Sequence, residues 1–346
     1  METLWFALVA GMLALYVIFD GFDLGVGIVH LFVARTDDER RLVLQSIGPV
    51  WDGNEVWLIA AGGTLYFAFP ALYASSFSGF YLPLMMVLWL LMLRGVAIEF
   101  RHHFDNRIWR PFWDAVFSVS SGGLAVFLGA ALGNVVRGVP LDDQAVFFLP
   151  LWTDFRPAGV PGILDWYTVL VGIGALLALT LHGALWLMFK TEGPVQARAR
   201  RVVRAAWWGV ALFTLIVTAV TFRLQPLVPA RLATAPWGGS VAALAVAGLA
   251  GVWWFSRRSA ERAAFLSSCA YLGGMLASVA FGLYPFVLPS NADPALGLDI
   301  WEAAAGAYGL RVGLVWFVPG MLLVTACFVF TYRRLAGKTT VEAGGY

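Results

Sequence analysis

The sequence contains few of the residues on which soluble enzymes and metalloproteins depend. Its 346 residues include only 2 Cys and 4 His, and charged residues make up 13% of the chain. No Cys or His cluster has the spacing of a metal site, and no glycine-rich phosphate loop or Ser-His-Asp set is recognisable. The net charge of +2 is too small to indicate a nucleic-acid partner. Metal-dependent and nucleic-acid-binding classes are therefore poor explanations of this chain.

Long apolar runs dominate the chain instead. Hydrophobic residues make up 60% of it, and its mean hydropathy is +0.77. Runs of roughly 18 or more apolar residues indicate transmembrane helices, and their continuous rather than alternating pattern favours helices over a β-barrel. We therefore predict an all-α, polytopic protein in which residues 1–346 form a single integral membrane domain. Nine spans are predicted, over residues 5–33, 53–72, 75–100, 113–136, 163–189, 204–222, 237–255, 263–288 and 310–332.

Basic residues are distributed unevenly between the connections that join these spans. Most of the 23 Lys and Arg residues fall on the side of the first connection, which carries Arg35, Arg40 and Arg41. The positive-inside rule assigns that side to the cytoplasm, so the N-terminus is predicted to be periplasmic and the C-terminus cytoplasmic. The N-terminal run has no basic leader and no cleavage site, so residues 4–33 are interpreted as a retained helix rather than a signal peptide.

Carboxylates occur inside or beside the first four spans, all in the predicted cytoplasmic half. Asp20 and Asp23 interrupt the first span and, being three residues apart, share one face of a helix. A charge at membrane depth costs about 2.5–3.5 kcal/mol on insertion scales, so such residues face the protein interior and often mark ion or proton pathways. The same half holds four more acidic residues at the span ends, namely Asp52, Glu55, Glu99 and Asp114.

Structural roles are an equally good explanation of some of these acids. Asp114 and Glu55 lie near predicted helix starts, where a carboxylate interacts favourably with the helix dipole. Asp20 or Asp23 could pair with Arg94, a basic residue well inside the predicted third span. Pairing and proton transfer are compatible, so both interpretations stay open.

Two further patterns are explained by structural packing. The GxxxG spacings at Gly21–Gly25 and Gly129–Gly133 allow close helix approach and predict packing within or between subunits. His30 and His182 are the only histidines inside spans, and together they are the only candidates for a bis-histidine haem site. A polar packing role is the preferred interpretation of each.

Five short motifs in the acidic spans and near the C-terminal end carry a family resemblance. They are Asp20-Gly-Phe-Asp-Leu-Gly-Val-Gly27, Pro49-Val-Trp-Asp-Gly-Asn-Glu-Val-Trp-Leu58, Phe77-Ser-Gly-Phe-Tyr81, Arg94-Gly-Val-Ala-Ile-Glu-Phe-Arg101 and Tyr284-Pro-Phe-Val-Leu-Pro-Ser290. Together they resemble subunit II of the cytochrome bd-type quinol oxidases, a class that includes the cyanide-insensitive oxidases. The resemblance extends from the first helix to the last, although residues 137–260 are only loosely similar.

This resemblance implies a fold, a reaction and a set of partners. The fold would be two four-helix bundles plus one helix, in the bacterial inner membrane. The complex would oxidise quinol and reduce O2 to water with protons from the cytoplasm. Subunit I would hold the haems, b and d or b alone, so this chain would bind no haem and no metal and would not be catalytic by itself. The implied partners are subunit I, quinol, membrane lipid and small single-helix subunits, and some relatives hold a structural quinone in subunit II.

The resemblance also assigns residue roles. Asp52, the acid of the Trp-Asp-Gly-Asn motif, would line a proton path at the subunit interface. Glu99 would contribute at the end of the third helix, where relatives can have Asp, and Asp23 would belong to the same path. Asp20 is expected to join them, with Arg94 as the charge partner.

Three alternatives use the same residues differently. A secondary transporter would couple cations through these acids, although nine spans do not divide into inverted repeats. A purely structural partner would have every acid paired. A haem-binding subunit would use His30 or His182.

Overall fold

A computed structural model of the protein describes residues 1–157 and 159–340, and within them helices predominate. A two-stranded antiparallel sheet of β1 (Phe286–Leu288) and β2 (Leu298–Asp299) is an exception to the all-α prediction. The helices are α1 (Glu2–Val33), α2 (Asp37–Gln45), α3 (Trp51–Ala68), α4 (Pro70–Gly79), α5 (Tyr81–Phe100), α6 (Trp109–Arg137), α7 (Trp166–Lys190), α8 (Gly193–Leu224), α9 (Leu227–Thr234), α10 (Gly239–Arg257), α11 (Glu261–Leu283) and α12 (Ala307–Arg334).

Eight helices of the described part are long and apolar enough to cross a membrane: α1, α5, α6, α7, α8, α10, α11 and α12. The predicted span 53–72 corresponds to α3, whose 18 residues are made less apolar by Asp52, Asn54 and Glu55 in its first turns. The chain is thus a polytopic helical protein.

The boundary between the predicted second and third spans was wrong. The predicted span 75–100 is divided into α4 and α5, and α4 begins at Pro70 instead of continuing from α3. Phe69 between α3 and α4 has the non-helical angles φ −134° and ψ 66°. Proline has no backbone N–H to continue a preceding helix and is favoured in a first turn, so the break at Pro70 follows from the sequence.

Helix α1 occupies the centre of the first half of the chain. It packs against α3, α6, α7 and α11. Its closest approach is to α7, where Gly25 faces Gly183 and a Cβ on either residue would overlap the other helix. Gly129 of α6 similarly faces Gly172 of α7. The predicted small-residue spacings therefore serve packing within this chain.

The second half of the chain forms another set of packed helices. Helix α7 packs against α8 and α11, and α11 packs along α10. Helix α12 lies at the edge, and Leu310 is its only buried residue. The ring of Phe19 lies 5.1 Å from that of Phe328 and 5.7 Å from that of Tyr332, so aromatic contacts hold α12 against α1.

Two long connections on the predicted periplasmic side pack together. The Val139 N–H donates to Pro289 O over 3.1 Å, and the Asn291 N–H donates to Val139 O over 3.1 Å. Gly138, with φ +87°, makes the turn that allows this pairing. The predicted span 263–288 was too long, because α11 ends at Leu283 and the chain then enters β1.

A short helix, α2, lies on the predicted cytoplasmic side. Thr36 Oγ1 accepts from the Glu39 N–H over 3.3 Å, and the Glu39 carboxylate accepts from the Thr36 N–H over 3.2 Å. This reciprocal pair is a capping box, which fixes the start of α2 beside the end of α1.

Candidate functional site

Three helices meet at a buried ion pair around Arg94. From α5, Arg94 Nη1 donates to Asp20 Oδ1 of α1 over 2.7 Å, and Nη2 donates to Glu55 Oε2 of α3 over 2.8 Å. The side chains of Arg94 and Asp20 are fully or almost fully buried, while that of Glu55 is 22% exposed. One guanidinium therefore links two carboxylates from different helices, one of them in partial contact with the surface.

A second buried carboxylate, Asp23, lies one turn along α1 and has a polar partner instead of an ionic one. Asn54 Nδ2 donates to Asp23 Oδ2 over 2.7 Å, and the Tyr332 hydroxyl of α12 donates to Asn54 Oδ1 over 2.9 Å. Because Tyr332 occupies the amide oxygen, the amide NH2 group of Asn54 is directed at Asp23. This chain of hydrogen bonds orients Asp23 from two neighbouring helices.

Several oxygens of this site have no hydrogen-bond partner among the described residues. They are Asp20 Oδ2, Asp23 Oδ1 and the hydroxyl of Tyr16. Tyr16, Asp20 and Asp23 follow one another at i, i+4 and i+7, so they lie along one face of α1. A buried oxygen without a partner is costly, and it is a position where a proton or a donor would be favourable.

Asp52 and Glu99 lie outside this buried group. Both are exposed, and neither side chain makes an ion pair or hydrogen bond within the described residues. Asp52 is in the first turn of α3 and Glu99 is in the last turn of α5. Trp51 packs beside Gly95, so these two helix ends lie on the same side of the molecule. The structure thus places the predicted path residues in a buried set, Asp20 and Asp23, and a surface set, Asp52 and Glu99.

Asp114 is the centre of a different cluster, which the sequence did not reveal. His30 Nε2 lies 2.7 Å from Asp114 Oδ1, Arg101 Nε donates to the same oxygen over 2.6 Å, and Arg40 Nη1 donates to Oδ2 over 2.9 Å. The Asp114 side chain is fully buried. Helix α6 begins at Trp109, so Asp114 lies beyond the first turn and the helix-start interpretation was wrong.

Helix α2 extends this cluster to the surface and to the second half of the chain. Asp37 of α2 accepts from Arg101 over 2.7 Å and from Arg110 over 3.0 Å. On the other side of α2, Glu39 lies 2.5 Å from Arg198 of α8. With the Arg40–Asp114 pair, four ion pairs thus fasten α2 to α8, to α6 and to the end of α5.

Titration of the groups outside the membrane spans follows these contacts. Burial alone would lower the pKa of Arg101, but its hydrogen bonds to Asp114 and Asp37 outweigh that effect and raise the pKa. Burial would raise the pKa of Glu39, but the hydrogen bond from Arg198 helps to hold that pKa below its ordinary value. Burial and the nearby Arg101 cation lower the pKa of His102, which is half-buried.

The two histidines inside spans are each held by protein groups. His182 Nδ1 lies 2.7 Å from Ser268 Oγ, and its Nε2 lies 2.9 Å from Ile18 O. His30 is engaged by Asp114 as described. Across residues 1–157 and 159–340, no three His, Cys, Asp or Glu side chains are grouped as metal ligands. The contacts of His30 and His182 support the polar packing interpretation of both histidines.

An apolar cleft of about 500 Å³ adjoins the acid site. Its lining comes from α1, α3, α4, α6, α7, α8 and α11. Tyr16, whose hydroxyl has no partner, is one of the few polar residues that line it, with Ser76, Thr214 and Tyr271. Thr214 and Tyr271 already bond to each other over 2.7 Å, so the hydroxyls of Tyr16 and Ser76 are the polar groups of the cleft that have no partner among the described residues.

Sequence reasoning missed three residues of these sites. Asn54 and Tyr332 were not named, although Asn54 stands inside the Trp-Asp-Gly-Asn motif between two candidate acids. His30 was interpreted as lone polar packing, and its partner Asp114 is 84 residues away in the chain. Only Asn54 carried a local signal, since a polar amide at span depth requires a partner.

A family model and curated relatives match almost the whole chain. The model of "Cytochrome bd terminal oxidase subunit II" matches residues 1–335. The "Cytochrome bd-I ubiquinol oxidase subunit 2" of Escherichia coli K12 is 30% identical over an alignment of 376 residues, which covers 99% of this chain and 96% of the relative. The "Cytochrome bd ubiquinol oxidase subunit 2" of Bacillus subtilis is 31% identical over 312 residues, covering 90% of this chain and 89% of the relative.

Another relative and a solved structure agree with these matches. The "Probable cytochrome oxidase subunit 2" of Haemophilus influenzae is 30% identical over 365 aligned residues, with 98% of this chain and 95% of the relative covered. A chain of the bd oxidase from Geobacillus thermodenitrificans superimposes with a TM-score of 0.76 at 17% identity, and covers 97% of this chain and 98% of its own length. The solved structure supports the fold, while the relatives do not support the secondary-transporter alternative.

Proposed function

Because the chain belongs to the family of subunit II of the cytochrome bd terminal oxidases, we propose that its inner acids deliver protons to the oxygen-reducing subunit of a bacterial quinol oxidase. The chain is a multi-pass subunit of this oxidoreductase complex in the inner membrane. In this proposal the haems lie in the partner, subunit I, and supply the electron transfer and oxygen chemistry. The residues of this chain supply a cytoplasmic route for protons.

The observation that carries the proposal is an excess of buried carboxyl groups over cations. Asp20, Asp23 and Glu55 share one cation, Arg94, within their hydrogen-bonded neighbourhood. Burying several negative charges around a single positive charge is costly, so the low-energy state of this group includes a bound proton. The oxygens of Asp20 and Asp23 that lack partners are the positions available to that proton. A buried group that holds a proton and has acceptors within one helix turn is suited to proton transfer.

We further propose that Asp52 and Glu99 collect protons at the cytoplasmic surface. Both acids are exposed in the isolated chain, and Glu55 lies three residues after Asp52 on α3, on the same helix face. A proton could then pass from Asp52 to Glu55 along α3, and from Glu55 to Asp20 and Asp23 on α1. All the carboxylates of this route belong to these two helices. Glu99 would provide a second acceptor at the same entrance.

The proposed topology gives this route its direction. We propose that α3 also crosses the membrane, which makes nine crossings with a periplasmic N-terminus and a cytoplasmic C-terminus. The packing supports one bundle of α1, α3, α5 and α6 and another of α7, α8, α10 and α11. Helix α12 lies at the edge of the first bundle, in contact with α1 and α3. Charge supports the orientation, because α2 carries Arg40 and is in contact with Arg35 and Arg198.

We propose that subunit I covers the surface that carries Asp52, Glu99 and the outer face of α12. This surface is rich in exposed large apolar side chains, which fit a protein partner as well as lipid. Small single-helix subunits and quinol would bind elsewhere on the assembled complex, and lipid would surround the rest. The exposed apolar residues on α5 and α12 include Trp89, Met92, Leu93, Trp316 and Leu323.

We also propose that the apolar cleft holds a structural quinone. Its volume of about 500 Å³ suits an aromatic head with part of an isoprenoid tail, and its lining is almost entirely apolar. The unpartnered Tyr16 hydroxyl would donate to a quinone carbonyl.

The quinone proposal is tested by filling the cleft. An Ala178→Phe variant is expected to lose the quinone that solvent extraction recovers from the purified complex, while keeping its haems. An Ala205→Phe variant on the exposed face of α8 serves as the control and should retain the quinone.

The proton route is tested by Asp52→Asn in the assembled oxidase. We expect oxygen consumption to fall by roughly 100-fold, the lower end of what a positioned proton-transfer group contributes. The haem absorption spectrum should be unchanged, and Asp52→Glu should restore part of the rate. Asp38→Asn, an exposed acid on the same side, should have normal activity. Normal oxygen consumption by Asp52→Asn with intact haems would remove Asp52 from the route.

A further inference from the structure

A small cleft opens between α8 and α10 on the predicted cytoplasmic side, far along the chain from the acid site. Its volume is about 130 Å³. It is enclosed by two arginines, three tryptophans, a serine and a valine, and no acidic residue lines it. The residues that form it are Val203, Arg204, Trp207 and Trp208 of α8 and Trp253, Ser256 and Arg257 of α10.

The positive charge of this cleft is not neutralised within the described chain. Arg204 and Arg257 are exposed, and neither makes an ion pair there. Arg257 stacks on Trp253, with its guanidinium carbon 3.7 Å from the ring centroid. That stacking fixes the guanidinium direction while leaving its N–H groups free to donate. The nearby acid Glu261 is already bound to Lys338 and Arg200. The cleft therefore carries two arginines that have no counter-charge among the described residues.

The tryptophans place the cleft at the depth of lipid headgroups. The rings of Trp207 and Trp253 lie 4.6 Å apart, and those of Trp208 and Trp253 lie 5.3 Å apart. Tryptophan is enriched at the boundary between hydrocarbon and water. The Trp207 N–H donates to Leu249 O over 2.8 Å, whereas Trp208 and Trp253 have no acceptor among the described residues. The packed tryptophans therefore support a position of the cleft at that boundary.

An apolar track leads from the cleft toward the membrane centre. On α8, Leu212 follows Trp208 by one turn and is 56% exposed. On α10, Val246 lies two turns before Trp253 on the same face and is 70% exposed. A free phosphate ion would use only the polar end of this surface. A molecule with a charged head and apolar chains would use all of it.

We propose that this cleft binds the phosphate headgroup of an anionic phospholipid from the cytoplasmic leaflet. Arg204 and Arg257 would clamp the phosphodiester, and the acyl chains would lie along Leu212 and Val246. Basic pockets between transmembrane helices on this side of a membrane suit such lipids, because arginine binds phosphate oxygens in a bidentate manner. The inference rests on the membrane orientation proposed above but not on the proton route.

The test measures lipid retention by the intact oxidase complex. The complex is purified with Arg204→Gln and Arg257→Gln together, exchanged into phosphatidylcholine discs, and titrated with phosphatidylglycerol, with bound lipid counted by native mass spectrometry. We expect the affinity of one phosphatidylglycerol site to fall roughly 30-fold, which corresponds to about 2 kcal/mol for two arginines. The control removes two equally exposed arginines of the same side, Arg35→Gln with Arg107→Gln, and should change the affinity less than about threefold.

Three outcomes would overturn the proposal. The double variant could retain phosphatidylglycerol as the unmodified complex does. The unmodified complex could bind phosphatidylcholine as tightly as phosphatidylglycerol, which would show that the headgroup charge does not contribute to binding. Inorganic phosphate at equal concentration could displace the lipid, which would reduce the cleft to a simple anion site. Oxygen consumption is not part of this readout, so a failed proton route leaves the result interpretable, and an unchanged haem spectrum shows that the double variant is folded.

Discussion

The two buried carboxylate clusters have opposite charge ratios. Around Arg94, one cation serves the carboxyl groups of Asp20 and Glu55, with Asp23 beside them. Around Asp114, two arginines and a histidine contact a single carboxylate, so the arginines alone outnumber it. Both clusters tie α1 to neighbouring helices at the same end of the molecule. Burial and pairing are therefore shared features, and charge ratio is what distinguishes them.

This difference separates a structural role from a proton-transfer role. Nearby cations stabilise the ionised form of a carboxylate, and removing that carboxylate leaves buried cations without a counter-charge. A carboxylate in a group with too little positive charge is the one that binds and releases a proton. The Asp114 cluster therefore fastens the helices, and the Arg94 cluster is the better candidate for chemistry.

The largest expected effect comes from neutralising the structural cluster. Asp114→Asn should destabilise the subunit by about 3–5 kcal/mol, because Arg101 would be left buried without its main counter-charge. The yield of assembled complex and its thermal stability in detergent measure this loss. Asp105→Asn, which removes an exposed partner of Arg110, is the matched control and should change little. Normal assembly of Asp114→Asn would contradict the structural role.

Neutralising the other cluster should have the opposite signature. Asp23→Asn preserves an acceptor for the Asn54 amide, so the complex should assemble with normal haem content. Oxygen consumption should fall by roughly 100-fold, about 2.7 kcal/mol, because an amide cannot carry the proton. Glu2→Gln on the exposed end of the same helix is the control. If Asp23→Asn failed to assemble and Asp114→Asn assembled with low turnover, the comparison would be reversed.

A smaller effect should follow from removing the orienting hydroxyl. Tyr332→Phe leaves Asn54 Oδ1 without its donor, so the amide would no longer be held toward Asp23. A neutral hydrogen bond contributes about 0.5–1.5 kcal/mol, so turnover should fall roughly three- to tenfold. The pH profile of oxygen consumption should shift as well, whereas a purely structural tyrosine would leave the profile in place. Phe330→Leu, an exposed position on the same helix, provides the control.

The smallest effect concerns Glu39, a carboxylate near the surface. Its pKa is held below the ordinary value of 4.5, so its contribution to stability is present above that value and is lost as the pH falls through the folded-state pKa. Glu39→Gln should cost about 0.5–1 kcal/mol at pH 7, measured by thermal unfolding. The difference from the unmodified protein should shrink as the pH is lowered from 7 to below 4.5. A difference independent of pH would mean that the Arg198 contact does not involve the charge of Glu39.

Much of the membrane architecture was accessible from the sequence because hydropathy is a local property. The apolar runs located the eight apolar helices, and the motifs led to a family that the comparisons confirmed. The break at Pro70 was missed because the apolar run continues through it, although the chemistry of proline contained the signal. Hydropathy cannot reveal short strands such as β1, because a strand is defined by its backbone pairing, here with β2, and not by how apolar it is.

In the sites, too, some contacts could be predicted from the sequence and others could not. A buried arginine and buried aspartates had to find partners, so sequence alone made the pair of Arg94 and Asp20 a natural candidate, and the two lie 2.7 Å apart. The partners of Asp23 and Asp114 depend on how distant helices are rotated against each other, and no local pattern encodes that rotation. Tyr332 illustrates the difficulty, since 278 residues separate it from Asn54.

The position of Tyr332 in the chain also has a consequence for biosynthesis. Translation proceeds from α1 toward α12, so Tyr332 is made 278 residues after Asn54. Helices α1 and α3 can associate early, but the amide that faces Asp23 cannot be locked until α12 has been made. A ribosome product that stops short of α12 would carry the acids without this restraint, so synthesis of α12 is itself a condition for a finished site.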